Sequence, residues 1–415
     1  MRAAAVIRRP ERFSIQWKGF FFFSNQIMQA LVVGAGLTGL MTAYALFSKG
    51  IRVSILEGRS SPCQGASYSC SGLLGESQPM LLSTPEASLL RSETGVVYGP
   101  GLIFHHPRFA RLLQKSRAPE NFKALSDLAK ALSSASFEWY LQVEKDNIFT
   151  LQSSEGTLEE LPETDTATPA LDGWLMMEPS LYALPQTTRF HLDNSLSWSI
   201  SYFAKQLKEW LIEQGVPIHN STAVTGFIRE GGRITGVQTA TGEIRTDHVV
   251  ICAGSGALNL LKLAKLKLPV LPLTRCVLNT TLFSDAMRIT HAIVDEKGFL
   301  LSPLDDFLRV QGRWYIGAEE DFDRDAEYRA LWETGMRFFP DIGDWKNARY
   351  FAQTVLTAPD SLAIVGESAV PGLWLNIAGG LHGADFAPSY AECLAQAMLG
   401  EPSPQAQALS PARFD

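Results

Sequence analysis

The 415-residue sequence predicts an α/β fold, in which a domain built on a parallel sheet is interleaved with an α+β domain built on an antiparallel sheet. Three observations support this prediction. A strand, a glycine-rich turn, a helix and a second strand follow one another within residues 30–57. Short strands separated by turn residues occupy 223–254, and a second set with a different pattern occupies 256–345. At roughly 100–200 residues per domain, the length suits two or three domains.

The first unit begins inside an uncharged stretch. Residues 19–48 contain no Asp, Glu, Lys, Arg or His, which superficially suggests a membrane anchor. Polar residues and three glycines interrupt the stretch, so two elements describe it better: a buried strand at 30–33 and a helix at 37–48. A second strand follows at 51–56. The sequence therefore predicts a βαβ unit rather than a membrane span.

Three glycines and one acidic residue give this unit its chemistry. Gly34, Gly36 and Gly39 have G-x-G-x-x-G spacing at the turn, and Glu57 ends the second strand. Such glycines allow a tight turn, close approach of a pyrophosphate and close packing of the helix, while the helix start favours phosphate. The carboxylate of Glu57 suits the hydroxyls of an adenosine ribose. The pattern predicts a Rossmann-like dinucleotide site.

A β-meander distinguishes between the possible dinucleotides. Strands are predicted at 223–229, 233–239 and from 244 onward, and the buried strand 248–254 ends in a glycine. Large FAD-binding folds return to their first sheet through such a meander, whereas NAD domains usually continue with βαβ units. We therefore expect FAD as the cofactor.

The chain before this unit is treated separately. Residues 1–27 are expected to be a disordered N-terminal extension, a surface segment of unknown role, or an over-called start, with Met28 as the favoured true start. No signal-peptide pattern is recognisable there. The expected location is cytoplasmic, with peripheral contact to the inner face of a membrane left open.

Composition excludes several classes of protein. A net charge of -7 without a basic run argues against a nucleic-acid partner. The five cysteines have no metal-ligand spacing, so no metal site is predicted and inert thiols are expected. Cys70, inside a glycine-rich loop, is expected to be a small packing residue, with a reactive thiol as the alternative.

The remaining segments complete the predicted organisation. Helices are expected within 107–145 and at 197–214, 325–339 and 388–399, and strands of the second domain at 276–282, 299–302, 307–311 and 314–316. The Rossmann-like FAD-binding domain with its β-meander is assigned to 28–100, 196–255 and 346–415. The α+β substrate domain is assigned to 101–195 and 256–345.

From about Met28 onward, the chain resembles the D-amino acid oxidase superfamily of FAD-dependent oxidoreductases. It is most similar to the D-amino acid dehydrogenase and glycine oxidase branch, and its C-terminal tail also resembles the FAD domain of the bifunctional enzyme that modifies tRNA wobble uridine. The motifs that carry the resemblance are VVGAGLTGL with Glu57, GASYSCSGLL, GVPIHNSTAVTGF, VVICAG, LSPLDDFLRVQG, APDSLAIVG and GGLHGADFAPSYAECLAQAMLGEP.

The resemblance implies roles for individual residues. It places the ADP half at the first turn, the isoalloxazine over the loop after Ser67, adenine at the meander, and the pyrimidine end of the flavin at 380–383. The residues implied to bind the cofactor are Gly34, Ala35, Gly36, Gly39, Glu57, Gly58, Arg59, Ser67, Gly72, Leu73, Val224, Ala253, Gly254, Gly380, Leu381, His382 and Gly383. His382 is also the candidate catalytic residue.

Two departures from the family pattern concern the substrate. Relatives often have an arginine about five residues before the P-D of the A-P-D motif, a neighbourhood that reads Gln353-Thr-Val-Leu-Thr-Ala358 in this chain and contains no arginine. Arg189, Arg275 and Arg309 are the alternative partners for a substrate carboxylate, with Arg189 and Arg309 preferred. Many relatives also read G-H-G or G-H-Y where this chain reads Ala378-Gly379-Gly380, and the histidine of this loop is His382.

The resemblance implies that the carbon next to an amine is oxidised, with a D-amino acid as the favoured substrate and an imine as the product. The imine would hydrolyse to a 2-oxo acid and ammonia, and the electron acceptor would be oxygen or a quinone. Two alternatives stay open. One is a secondary-amine oxidase acting on glycine, sarcosine or a modified nucleoside. The other is a flavin-binding subunit of a larger dehydrogenase complex.

Overall fold

The computed structural model describes residues 28–74, 81–82, 96–98, 102–154, 156–161, 171–284, 288–304, 306–316 and 323–415. Within these residues the strands β1 to β21 are, in order, Gln29–Val33, Arg52–Leu56, Ser71–Leu74, Val96–Tyr98, Ser153–Ser154, Thr157–Glu160, Phe190–Asp193, Leu196–Ser199, Ile218–His219, Val224–Glu230, Arg233–Thr239, Gly242–Arg245, His248–Ile251, Leu271–Thr281, Ala292–Val294, Leu300–Leu304, Phe307–Gln311, Trp314–Ile316, Arg349–Thr357, Ile364–Glu367 and Leu373–Ile377. The helices α1 to α11 are Leu37–Ser48, Ala66–Ser69, Leu102–His105, Pro107–Ser116, Pro119–Lys145, Asp172–Leu175, Ile200–Glu213, Ala257–Ala264, Arg324–Phe338, Ala387–Met398 and Pro404–Ala408. The predictions for residues 1–27 lie outside the described part of the chain.

A six-stranded sheet forms the base of the molecule, with strand order β20-β21-β13-β1-β2-β9. β1 runs parallel to β13 on one side and to β2 on the other, and only β20 is antiparallel to its neighbour β21. Val32 and Val250 lie opposite each other in the sheet centre, both fully buried. This is the predicted Rossmann-like arrangement, and the apolar runs reflect burial on both faces of the parallel strands.

Helix α1 explains why the chain is uncharged at 37–48. It lies between the sheet and the helices α7 and α10. Leu40, Met41 and Ala43 are among its buried residues, and eight of its twelve positions are buried. A charged side chain on a helix surrounded in this way would be buried without a partner, which is energetically costly. The fold therefore explains why residues 28–48 of the uncharged stretch carry no charge.

The meander forms a separate three-stranded antiparallel sheet, β10-β11-β12. Its first two strands pair from Val224 opposite Thr239 to Glu230 opposite Arg233, and the chain then returns to the six-stranded sheet as β13. The predicted bounds of β11 match the structure, and those of β10 and β12 differ by one or two residues. The predicted meander is confirmed.

A nine-stranded large sheet carries the second half of the fold. Its strand order is β4-β18-β14-β17-β16-β15-β6-β7, and β19 also pairs with β14. Most neighbours are antiparallel, as predicted, but β15 pairs with β6 and β18 with β4 in parallel. The long strands β14 and β19 pair over nine residues, which places Gln353 directly opposite Arg275.

The start of α7 corrects one prediction. The helix was expected to begin at Ser197, but 196–199 forms the strand β8, which pairs with β3. Helix α7 begins at Ile200, and the Ser199 hydroxyl caps it by accepting a hydrogen bond from the Tyr202 N–H at 3.4 Å. Pairing with a distant strand and a side-chain cap together override the helical periodicity. The other long helices, α4, α5, α9 and α10, lie where helices were predicted.

The predicted domain boundaries stay a prediction. The six-stranded sheet draws its strands only from 28–100, 196–255 and 346–415, the segments assigned to cofactor binding. The large sheet takes β14 to β18 from 256–345, but it also includes β4 and β19 from the cofactor-binding segments. The large sheet thus contains strands from both sets of segments.

Candidate functional site

A cavity of about 730 Å³ lies at the carboxyl ends of β1, β2 and β13. In open α/β sheets, ligands bind at this edge. From there the cavity extends to the large sheet, where Arg275, Trp314 and Gln353 line it. One end of the cavity therefore belongs to the dinucleotide-type turn and the other to the predicted substrate domain.

The three glycines of the turn have different steric roles. A Cβ atom on Gly34 would lie 2.6 Å from the Cys252 carbonyl oxygen, and one on Gly39 would lie 1.9 Å from the Gly34 oxygen. Gly34 also has a φ of +109°, which disfavours other residues. At Gly36 only Ser67 Oγ comes near, at 3.4 Å. Gly34 and Gly39 are required by the fold, whereas Gly36 leaves open space in the cavity wall.

The start of α1 faces this space. Its first turn contains no acidic residue, and its N-cap, Gly36, makes no side-chain capping bond. The Leu37 N–H donates to Ser67 Oγ at 3.0 Å, which ties the loop after β2 to the helix start. A helix N-terminus without an acidic side chain attracts anions through its exposed N–H groups and its dipole. This end of the cavity suits a pyrophosphate.

Glu57 shapes the turn besides lining the cavity. Its Oε2 accepts a hydrogen bond from the Ala35 N–H at 2.8 Å, and its Oε1 accepts one from the Arg59 N–H at 2.9 Å. Each carboxylate oxygen can accept a second bond, so a ribose hydroxyl can still bind there. Sequence reasoning gave Glu57 the ribose role and missed its role in holding the turn.

We expect Glu57→Ala to weaken FAD binding by at least about 10-fold, because it removes two hydrogen bonds to a charged group along with the ribose contact. Glu57→Gln keeps one acceptor oxygen and should weaken binding less. Titration of the apoprotein with FAD, followed by flavin fluorescence quenching, measures both. Equal affinity of Glu57→Ala and the wild type would contradict the assignment.

Gly72 lies where three elements converge at the far end of the cavity. A Cβ there would lie 2.2 Å from Trp198 Nε1 and 2.8 Å from Asp385 Oδ1. Both of these polar atoms are buried and have no hydrogen-bond partner within the described residues. Only glycine at this position lets the indole and the carboxylate approach the loop so closely. Asp385 was not among the predicted site residues.

His382 lies in the loop before α10. Its Nδ1 is 3.3 Å from Asp385 Oδ2, and its ring stacks on Phe386 with centroids 4.9 Å apart. Both His382 and Asp385 line the cavity. Helix α10 begins at Ala387, two residues after this carboxylate. The imidazole of His382 and the carboxylate of Asp385 are thus the ionisable groups that this loop presents to the cavity.

Arg275 is a buried cation in the cavity wall, only 6% exposed. Its Nε donates to Gln353 Oε1 at 2.8 Å, and its Nη2 donates to Gln311 Oε1 at 2.5 Å and to Cys70 Sγ at 3.4 Å. The guanidinium also stacks on Trp314, 4.2 Å from the ring centroid. Burial lowers the pKa of Arg275, and the neighbouring Cys70 and Asp385 oppose this decrease.

The structure brings most of the predicted site residues together. Those that line the cavity are Gly34, Gly36, Glu57, Gly58, Arg59, Ser67, Gly72, Leu73, Val224, Ala253, Gly254, Gly380, Leu381, His382 and Gly383. Ala35 and Gly39 lie just behind the wall, and Arg309 lies beneath α2. Arg189 is not in the wall, and its Nη1 donates to the Thr187 oxygen at 3.2 Å. The individual roles remain predictions.

The thiols of the cavity differ from one another. Burial, with the Glu57 carboxylate adding to it, raises the pKa of Cys63 to about 12, and burial likewise raises the pKa of Cys252 to about 12. These thiols stay protonated at neutral pH and are poor nucleophiles. Cys70 lies in the wall and is held by Arg275. All five cysteines belong to the described residues, and no disulfide joins any two of them.

The residues present fit FAD. The open helix start accommodates a pyrophosphate, Glu57 suits the ribose, the meander closes the adenine end, and the cavity continues past Gly72 to the large sheet. Its volume lies within the range of roughly 300–1,000 Å³ typical of ligand sites. A dinucleotide site at one end and a buried cation at the other define a flavin-dependent oxidoreductase.

The comparisons agree with this class. The family model described as FAD dependent oxidoreductase (DAO) matches residues 29–397, so the chain belongs to that family. It is 26% identical over 395 residues to the glycine oxidase of Pseudomonas aeruginosa, covering 92% of this chain and 98% of that one. It is 24% identical over 403 residues to the D-amino acid dehydrogenase of Chromohalobacter salexigens, covering 90% and 96%.

Solved structures share the fold. Glycine oxidase from Bacillus cereus superposes with a TM-score of 0.67 at 16% identity, covering 92% of this chain and 97% of that chain. L-Proline dehydrogenase from P. horikoshii superposes with a TM-score of 0.64 at 18% identity, covering 93% and 97%. The predicted superfamily, fold class and FAD cofactor are therefore confirmed.

Among the described helices, none has both the length and the apolar composition that crossing a bilayer requires. Peripheral contact with a membrane stays a prediction.

Proposed function

We propose that this FAD-dependent oxidoreductase oxidises the C–N bond of an amino acid whose carboxylate binds Arg275. The ammonium group first loses a proton to solvent, the α-hydrogen then leaves with two electrons as a hydride, and the C–N bond becomes that of an iminium. Water adds to the iminium carbon, which releases a 2-oxo acid and ammonia. A D-amino acid is the favoured substrate, since several similar proteins are named D-amino acid dehydrogenase.

The observation that carries the proposal is the unneutralised charge of Arg275. Its hydrogen-bond partners are two amide oxygens and a thiol sulfur, and no described carboxylate bonds to it. Amide dipoles satisfy N–H groups but do not cancel a buried charge, which costs several kcal/mol if it stays unpaired. The bonds to described residues use Nε and Nη2, so Nη1 is the nitrogen that remains for an anion from the cavity.

The same contacts give a reason for the missing arginine of the family motif. The neighbourhood in which relatives often have that arginine lies on β19, where Gln353 pairs opposite Arg275 of β14. The Gln353 side chain accepts the Arg275 Nε–H at 2.8 Å. We infer that the positive charge is supplied from the neighbouring strand, with Gln353 orienting it. The argument for a catalytically silent flavin subunit rested on the absence of this charge and is weakened accordingly.

The other residues would position the substrate and exclude water. The bound flavin supplies hydride acceptance. Arg275 would fix the carboxylate and thereby orient the α-hydrogen, which is the main task of the protein in such a reaction. His382 and Asp385 would face the amine or the cofactor from the α10 side, and we propose His382 as the contact residue there. The deep position of Arg275 keeps the reacting carbon away from bulk water.

An anaerobic substrate panel tests the proposal. The FAD-loaded protein should lose its visible flavin band on mixing with a D-amino acid, and ethylamine, which lacks a carboxylate, should act far more slowly. Sarcosine, glycine and L-amino acids separate the alternative substrates. Loss of the band with ethylamine as fast as with any amino acid would contradict carboxylate recognition. No loss with any amine would favour the flavin-subunit alternative. Reoxidation by oxygen or by a soluble quinone then identifies the acceptor.

A further inference from the structure

A second buried arginine lies next to Arg275. Arg309 on β17 is 1% exposed, its Nε donates to Asn279 Oδ1 at 3.0 Å, and its Nη2 donates to the Tyr68 carbonyl oxygen at 3.2 Å. Its Nη1 is buried and has no hydrogen-bond partner within the described residues. Tyr68 belongs to the short helix α2, and the neighbouring Cys70 lines the cavity. Arg309 therefore lies one loop behind the cavity wall.

The two guanidiniums act on each other. Burial lowers the pKa of Arg309 to about 10, with repulsion from Arg275 contributing to the decrease. Arginine side chains keep their charge in proteins, so both groups are positive at neutral pH. Among the described residues, Arg309 hydrogen-bonds only neutral oxygens, and Arg275 hydrogen-bonds only amide oxygens and a thiol sulfur. The end of the cavity thus holds two positive charges that are oriented by neutral groups and to which no carboxylate of the described residues hydrogen-bonds.

Asp385 is the described carboxylate that attracts Arg275, although the two form no hydrogen bond. An amino acid arrives as a zwitterion, and its carboxylate and ammonium match Arg275 and Asp385. The charge of Arg309 is then left without a counterpart. A second carboxylate on the substrate would supply one, and burial makes this interaction strong because little solvent screens it.

Acidic residues elsewhere in the cavity influence the choice of substrate side chain less than the two arginines do. Glu159 and Asp193 also line it, and they would favour a basic side chain. Glu159, however, is exposed and lies on β6, four strands away from β14 in the large sheet. Solvent screens such exposed charges, so the buried arginines dominate the selection.

We propose that the substrates are acidic amino acids. The charge of Arg309 would attract the second carboxylate of such a substrate, with Cys70 of the cavity wall lying between the two groups. This inference rests on the proposed function. Arg309 acts here as a positioning residue, because its unpaired nitrogen is buried behind the wall. The site would therefore recognise a ligand that carries two negative groups and one positive group, as aspartate and glutamate do.

The first test compares isosteric substrates on the FAD-loaded protein. The kcat/KM for D-glutamate should exceed that for D-glutamine by about 10-fold or more, equivalent to about 1.4 kcal/mol. D-Aspartate against D-asparagine should behave likewise, and D-arginine should be slowest; if the L-enantiomers react instead, the same ratios apply to them. Equal or reversed ratios, or D-arginine as the fastest substrate, would overturn the inference.

The second test assigns the preference to Arg309. Arg309→Met should lower the glutamate-to-glutamine ratio about 10-fold, and Arg309→Lys should retain part of it. Arg349→Met is the matched control, because Arg349 is an exposed arginine of the same sheet, and its ratio should equal that of the wild type. A preference that persists in Arg309→Met would remove Arg309 from the explanation.

A binding measurement on the wild type covers the case in which the variants do not fold. Succinate should perturb the flavin spectrum with a Kd about 10-fold lower than that of succinamate, which has one carboxylate fewer. Equal Kd values would overturn the inference. If no amino acid reduces the flavin, the proposed function fails and this inference with it, whereas reduction by glutamine but not by glutamate overturns this inference alone.

Discussion

The Gly36→Val variant is expected to purify as a folded but colourless protein. Around Gly36 the protein leaves open space, with only Ser67 Oγ within 4 Å of a Cβ, so the valine can be accommodated without disturbing the sheet. That space is where the pyrophosphate approaches the start of α1, and a branched side chain would occupy it. We expect FAD affinity to fall by more than about 10³-fold, which is over about 4 kcal/mol. Absorbance of the purified protein and circular dichroism measure the two outcomes.

Two other glycines provide controls for this experiment. Gly39→Val should fail to fold, since even a Cβ there would lie 1.9 Å from the Gly34 oxygen. Gly173→Val should remain yellow, because Gly173 lies in α6, outside the cavity wall, and nothing lies within 4 Å of its Cβ position. A yellow Gly36→Val protein with unchanged FAD affinity would contradict the assigned phosphate site.

Arg275→Met is expected to lower kcat/KM for amino acids by about 10³-fold, while FAD remains bound. Removing one partner of a buried ion pair typically costs about 2–5 kcal/mol, and here the lost partner would face the substrate carboxylate. Methionine fills a similar volume, and exchanging a buried charge for an apolar group is often tolerated by the fold. Stopped-flow reduction of the bound flavin measures the loss directly.

Two further measurements separate recognition from folding in this variant. Propionate, a carboxylate without an amine, should perturb the flavin spectrum of the wild type and not that of Arg275→Met. Arg275→Lys should recover part of the activity, because it restores the charge without the planar group that stacks on Trp314. Activity within about threefold of the wild type in Arg275→Met would reject the carboxylate role, since a change that small is only about 0.6 kcal/mol.

The cofactor half of the site was predictable because its parts are close in the chain. The glycine spacing, the two strands and Glu57 all lie within 28 residues, and each has its effect through local geometry. The predicted meander also depends on neighbouring strands and turns. Even here, one refinement came from distant contacts, since the need for glycine at position 34 arises partly from Cys252.

The substrate half could not be predicted to the same depth. Choosing among Arg189, Arg275 and Arg309 requires knowing which side chains share the cavity, and that follows from the pairing of β14 with β17 and β19. The preferred candidates Arg189 and Arg309 are not cavity-lining residues, whereas Arg275 is. Asp385 had no sequence signal of its own, because its significance lies in its approach to Gly72 and Trp198.

By itself, the sequence determined the class of cofactor, the parallel sheet that holds it and the superfamily, since short-range patterns encode the turn, the helix start and the strands. The tertiary structure decided which cation faces the substrate and which groups accompany it. The physical reason is that burial and charge neutralisation depend on neighbours that lie 78 residues away at Gln353 and 205 residues away at Cys70, and no local pattern records them.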